Sequence, residues 1–243
     1  MFEIYPLHVA TLKQVDKSVL TSLKDAGEKI DLNCIAWVIR SHKAVYVVDP
    51  GPGHDVMRAK NIHHREMSIE GCTDLLRGLK NLGIMPSDVN AIIDTHLHWD
   101  HCIANDSLPG IPVIVQHREY EYAKAPLRRD DILYESSLSY SPVNIFQSRM
   151  RFVEGDCRLE DGLELIFTPG HTPGHQSIKV RTQQKEYLIA GDQFDLYENY
   201  ECCHPVGLYV NLFDWYQSYE KVKRMNVEVL PSHDPLLMSR KFY

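Results

Sequence analysis

The chain has 243 residues, 44% hydrophobic and 24% charged, with a formal net charge of -7 and a pI near 6.0. This is enough apolar material for one sizeable core, and the acidic balance lacks the clustered Lys and Arg that hold a polyanion, so nucleic acid is not an expected partner. No apolar run reaches the roughly eighteen residues of a membrane span, and no basic start precedes an apolar stretch. The expectation is a cytoplasmic protein without membrane contact.

One domain over residues 1–243 is expected, since no repeat or flexible linker interrupts the chain. Between Asn33 and Val48, the runs CIAWVI and AVYVVD flank a polar stretch at 40–43 and predict an antiparallel hairpin, which Asp49-Pro-Gly-Pro-Gly53 ends. Residues 70–83 place Leu75, Leu76, Leu79 and Leu82 at helical spacing and close on Gly83, a residue suited to a helix end. Val89–Asp94 predicts a short strand running into THLHWDHC; Ile111–Val115 predicts another, followed by a helix over His117–Lys124.

The stretch Ala125–Arg149 has weak periodicity and contains Pro126 and Pro142. It reads as an irregular, partly helical excursion serving as a lid or as the contact of a homodimer. Beyond it, Leu163–Phe167 predicts a strand, TPGHTPGH a tight turn, and SIKVRT with EYLIAG a second hairpin around Gln183 and Gln184. Phe213–Met225 predicts a helix, and Val227–Leu230 a strand that delivers Ser232, His233 and Asp234.

Cys34, Cys72, Cys102, Cys157, Cys202 and Cys203 form no CxxC spacing, so neither a disulfide framework nor a zinc ribbon is indicated. Cys102, next to His101, reads as a packing residue. Function is carried by His96, His98, Asp100 and His101, four potential ligands within six residues after a predicted strand. With 13 His and 18 Asp in the chain, that His-x-His-x-Asp-His pattern arises by chance about once in 400 such sequences.

In an extended loop, residues two apart project to one side. His96 and His98 can therefore share one cation while Asp100 and His101 turn toward a second. His171 after FTPG, Asp192 after LIAG and His233 after LPS supply further donors, and the two oxygens of Asp192 suit it to bridge a pair of cations. His175 competes with His171; His171 is preferred and His175 is read as a hydrogen-bonded support behind it. His63, His64, His117 and His204 are read as structural or surface residues.

The series THLHWDH, TPGHTPGH, Gly191-Asp192 and a final Ser232-His233-Asp234, in that order, resembles the metallo-β-lactamase superfamily. Within it, IPVIVQHREYE, the Glu154–Asp156 segment and TPGHTPGHQS are similar to the N-acyl-homoserine lactonase branch. The resemblance implies an αββα sandwich of two mixed sheets flanked by helices. It assigns His96, His98 and His171 to one metal and Asp100, His101 and His233 to the other, with Asp192 between them.

It also implies two divalent ions per chain, zinc first, with iron, manganese and cobalt fitting the same donors. The implied reaction is the opening of a small lactone by water activated between the ions, with Asp100 moving the proton. Such lactonases place a tyrosine three residues after the bridging aspartate, against the substrate carbonyl. This chain has Asp195 there and Tyr197 two residues on, so both are candidates for substrate contact. Trp99, Phe194 and Tyr197 are candidates for an apolar wall. The alternatives are a cyclic amide or thioester on the same site, or a metal-binding protein without turnover.

Overall fold

The computed structural model describes residues 1–139 and 141–239. Its strands are β1 (Glu3–Asp16), β2 (Lys29–Arg40), β3 (Val45–Val48), β4 (Glu66–Ser68), β5 (Ala91–Ile93), β6 (Val113–Gln116), β7 (Met150–Val153), β8 (Cys157–Glu160), β9 (Leu163–Phe167), β10 (Gln176–Arg181), β11 (Glu186–Ile189) and β12 (Glu228–Leu230). Its α-helices are α1 (Val56–His63), α2 (Leu75–Asn81), α3 (Trp99–Cys102), α4 (His117–Lys124), α5 (Asp131–Tyr134), α6 (Pro142–Phe146), α7 (Tyr197–Glu201) and α8 (Leu212–Met225). The strands form a seven-stranded sheet, β4-β1-β2-β3-β5-β6-β7, and a five-stranded sheet, β12-β11-β10-β9-β8. Both mix parallel and antiparallel pairs.

The alternation of side chains along each strand explains the layers. In β2, Ile35, Trp37 and Ile39 pack against Leu165, Ile178 and Val180 of the other sheet, while Cys34, Ala36 and Val38 face Leu75 and Leu79 of α2. In β11, Tyr187 and Ile189 join the inner layer, and Leu188 joins Trp215, Tyr219 and Val222 of α8 outside. Strands buried on both faces need continuous apolar runs, which is why CIAWVI and EYLIAG read so clearly. The result is the expected αββα sandwich.

The predicted hairpins and the helix at 117–124 lie where the sequence placed them, and the predicted helix at 70–83 is shorter. Glu70 and Gly71 form a turn, and Asp74 caps α2 by accepting from the backbone N–H of Leu76 at 2.7 Å. The long strand β1 had no sequence signal. Two register shifts, between His8 and Ala10 and between Leu12 and Val15, break its alternation. Strands β7 and β8, and helices α1 and α7, were likewise unread: they are short, and several of their residues face solvent.

The parallel strands β3, β5 and β6 of one sheet, and β11 and β12 of the other, all point their carboxyl ends to one edge of the sandwich. Asp49, Thr95–His101, Asp192 and Ser232–Asp234 follow those ends directly. The Gln176 backbone N–H donates to Thr95 O at 2.9 Å and its side-chain amide to Asp94 O at 2.8 Å, which pins the two sheets together at this edge. A hollow of about 830 Å³ lies at the opposite end, lined by Met1, Tyr5, Arg40 and Gln184, away from every candidate ligand.

Candidate metal centre

The loop after β5 and the turn after β9 bring His96, His98 and His171 together. His171 Nε2 lies 3.3 Å from His96 Nε2 and 3.0 Å from His98 Nδ1. The first of these contacts is not a hydrogen bond, because the opposite ring nitrogens carry the protons. His171 Nδ1 donates to Leu208 O at 2.7 Å. The Thr95 hydroxyl has one proton, which it gives to the acceptor-only carboxylate of Asp49 at 2.8 Å, so it accepts from His96 Nδ1 at 2.9 Å. Two lone pairs therefore face each other in a buried space, an arrangement that a cation relieves.

The second group gathers Asp100, His101 and His233. His101 Nδ1 is held by Asp49 Oδ2 at 3.0 Å, and His233 Nδ1 by Asn33 O at 2.7 Å, so both rings aim Nε2 inward. Asp192 stands between the groups. Its Oδ1 lies 3.2 Å from His101 Nε2 and 3.2 Å from His233 Nε2, whereas its Oδ2 lies 3.5 Å from His171 Nε2 and 3.8 Å from His96 Nε2. One oxygen thus faces each cluster, the geometry of a bridging carboxylate.

Electrostatics separate the two sides. Burial holds His96, His98 and His171 below the ordinary imidazole pKa, so they are neutral and ready to ligate. Burial also opposes charge on His101 and His233, but the Asp192 carboxylate overcomes it and raises both. Asp192 itself is disfavoured as an anion by burial, yet the two imidazoles hold its pKa well below the carboxylate range. The inward-facing nitrogen and carboxylate donors fit divalent ions.

Several supporting residues escaped the sequence reading. Asp49, taken only as the end of a strand, orients Thr95 and His101. Glu119 on α4 is fully buried and accepts four hydrogen bonds, from Leu97 N at 3.0 Å, Tyr134 OH at 2.8 Å, Thr172 OH at 2.7 Å and Gly174 N at 3.1 Å. One carboxylate thereby ties the His96–His98 loop, the His171 turn and the excursion. The available signal was weak: an acidic residue amid the polar residues of a short helix.

His175 lies behind the cluster. Its Nδ1 meets the hydroxyl of Thr168 at 2.9 Å and the carbonyl at 3.1 Å, and burial lowers its pKa to about 3. Cys102 is a buried packing residue. Trp99 lines the cleft and stacks on His63 at 3.9 Å between centroids. Phe194 does not form a cleft wall: beyond the helical turn at Gly191–Gln193 it packs outward on Tyr200, Trp215 and Tyr219. Tyr197 is buried in the layer between the sheets, and the residues lining the cleft include Asp195 but not Tyr197.

The cleft over the donors is lined by Leu12, Leu20, Leu32, Arg65 and Leu133, and it adjoins a hollow of about 250 Å³ bounded by Ile132, Leu133, Leu208 and Val210. The excursion thus supplies one wall. Arg65 borders both spaces, and its guanidinium has no hydrogen-bond or ion-pair partner among the described residues.

The model of the metallo-beta-lactamase superfamily matches residues 30–230. The chain belongs to that superfamily. Among members, it is 28% identical over 232 residues to the N-acyl homoserine lactonase AiiA of Bacillus thuringiensis subsp. kurstaki, covering 92% of this chain and 86% of that protein. It is 33% identical over 179 residues to the N-acyl homoserine lactonase AttM of Rhizobium radiobacter, covering 68% and 65%. A solved structure of a quorum-quenching N-acyl homoserine lactone lactonase superposes with a TM-score of 0.82 at 25% identity, covering 99% of this chain and 96% of that one. No helix among the described residues is long and apolar enough to cross a membrane.

Proposed function

We propose that the chain is a dinuclear metal-dependent lactonase that opens small cyclic esters, N-acyl homoserine lactones in particular. The observation that carries this reading is Asp192, whose two oxygens each face a separate cluster of inward-aimed imidazoles beside an apolar hollow. We assign His96, His98 and His171 to one ion, Asp100, His101 and His233 to the other, and Asp192 to both. The imidazole-rich first group favours zinc. A cation pair bound there supplies Lewis acidity and a nucleophile deprotonated near neutral pH.

The chain's own groups do the rest. Asp49, Thr95, Leu208 O and Asn33 O fix the ring tautomers so that the ligating nitrogens face inward without reorganisation during turnover. Leu20, Leu32, Leu133 and Trp99 exclude bulk water from the reacting ester. Arg65 donates to the amide carbonyl of an acyl substituent, whose hydrocarbon tail fills the hollow beside Ile132 and Val210.

In the reaction the water oxygen bonds to the lactone carbonyl carbon and the ring C–O bond breaks. Asp100, part-exposed at the cleft, takes the proton remaining on the attacking oxygen and passes it to the departing ring oxygen. The product is a hydroxy acid, ionised at neutral pH, so each turnover releases one proton. Proton release from N-acyl homoserine lactones, simple lactones and thioesters, and loss of the amide absorbance of β-lactams, with metal-loaded and chelated protein, test the reading. Metal-dependent turnover confined to thioesters or cyclic amides would replace it with one of those substrates.

A further inference from the structure

Asp195 is only 2% exposed, yet its Oδ1 has no hydrogen-bond partner, and no Lys or Arg pairs with it among the described residues. A buried carboxylate left in that condition is costly unless something cationic meets it. A local duty open to an aspartate just before the Leu196 N-cap is to serve the free N–H groups at the start of α7. That duty is taken by other groups: Asp234 Oδ2 accepts from Tyr197 N at 2.9 Å, and Asn199 Oδ1 from Leu196 N at 2.7 Å.

What Asp195 does face is the cluster. A carboxylate oxygen of Asp195 lies within 4.8 Å of donor atoms of both Asp192 and His233, and the residue lines the same cleft. The His233 backbone N–H donates to Asp195 O at 3.0 Å, fixing the two residues side by side.

We propose that Asp195 is an eighth donor side chain, coordinating the ion on the Asp100–His101–His233 side. The inference rests on the dinuclear reading of the cleft. It makes the centre asymmetric: three imidazoles and one oxygen of Asp192 on one side, two imidazoles and three carboxylates on the other. Oxygen-rich donor sets suit harder cations, so this second position accommodates manganese(II) or iron(II) better than the first does.

The test uses the full chain stripped of metal. Manganese(II) is titrated in while the paramagnetic resonance signal of the free ion is followed, for wild type, Asp195→Asn and Asp195→Ser, with far-ultraviolet circular dichroism confirming the fold. Wild type is expected to bind in two steps. Both variants are expected to weaken one step by about 100-fold, the upper end of what loss of a supporting group costs, and to leave the other unchanged. Unaltered binding, or equal weakening of both steps, overturns the assignment.

If the variants do not fold, crystals of metal-loaded wild type decide. An Asp195 oxygen about 2.0–2.2 Å from an ion supports the proposal, and one out of bonding range overturns it. The lactonase reading fails separately. Loss of one binding step in a protein that opens no lactone removes the substrate and keeps the donor, and metal-dependent lactone opening with both steps intact does the reverse.

Discussion

Asp49 Oδ2 lies 3.0 Å from His101 Nδ1, and the same oxygen accepts the Thr95 hydroxyl at 2.8 Å, so one carboxylate fixes the tautomer of His101 directly and that of His96 through Thr95. Asp49→Asn keeps an acceptor for one neighbour but can turn an amide N–H toward His101 Nδ1. That ring would then carry its proton on Nε2, facing Asp192. A 10–100-fold fall in metal affinity or turnover is expected, read by chelator competition and steady-state kinetics. Unchanged metal affinity would remove Asp49 from this role.

Gly191 holds φ +57°, and a Cβ there would sit 2.6 Å from His175 Nε2 and 2.8 Å from Thr95 Cβ. Gly191→Ala combines left-handed strain with crowding of the residue that orients His96, immediately before Asp192. Denaturant melts are expected to show a loss of about 2–4 kcal/mol, together with weaker metal binding.

Arg65→Ala should leave stability unchanged, since the side chain has no partner to lose among the described residues. For N-acyl homoserine lactones, KM should rise about 10–100-fold with little change in kcat, the worth of one charged hydrogen bond. A lactone without an amide should be turned over equally by both proteins. An equal loss on both substrates would place Arg65 elsewhere in the reaction.

His175 carries a pH dependence whose sign follows from burial. Its folded-state pKa is about 3, against 6.5 when exposed, so only the unfolded chain takes up this proton as pH falls between those values. Stability from this group is complete above 6.5 and declines by about 1.4 kcal/mol per pH unit toward 3. His175→Gln should flatten the stability profile of the metal-free protein in that window; an unchanged slope would show the imidazole to be charged in the fold.

Glu119→Gln puts an amide where four donors converge, leaving at least one of Leu97 N, Gly174 N, Thr172 OH or Tyr134 OH facing an N–H. About 3 kcal/mol of stability should be lost by chemical denaturation. Metal-loaded protein should recover part of it, because ion binding favours the folded state.

What the sequence made readable were features written in local chemistry. CIAWVI and EYLIAG declare double-sided burial, and His96, His98 and Asp100 sit at a spacing chance does not explain. What stayed hidden depends on distant partners. β1 is bent by register shifts that erase its alternation, and Asp49 looks like any strand-ending aspartate until Thr95 and His101 arrive beside it. Phe194 was misplaced because proximity in sequence to Asp192 says nothing about direction after a helical turn. Asp195 drew notice only as a mismatch to a resembling family; its isolation from Lys and Arg is visible only in three dimensions.

The four-way grip of Glu119 also reaches the excursion through Tyr134 alone, while Ile132 and Leu133, close by in the same segment, form the wall of the hollow. The segment is moored on either side of that wall, by Glu135 on Arg58 and His63 and by Asp130 on the Tyr122 hydroxyl. Descendants of this chain could reshape the hollow by substitutions at Ile132 and Leu133 while leaving those moorings and the proposed donors in place.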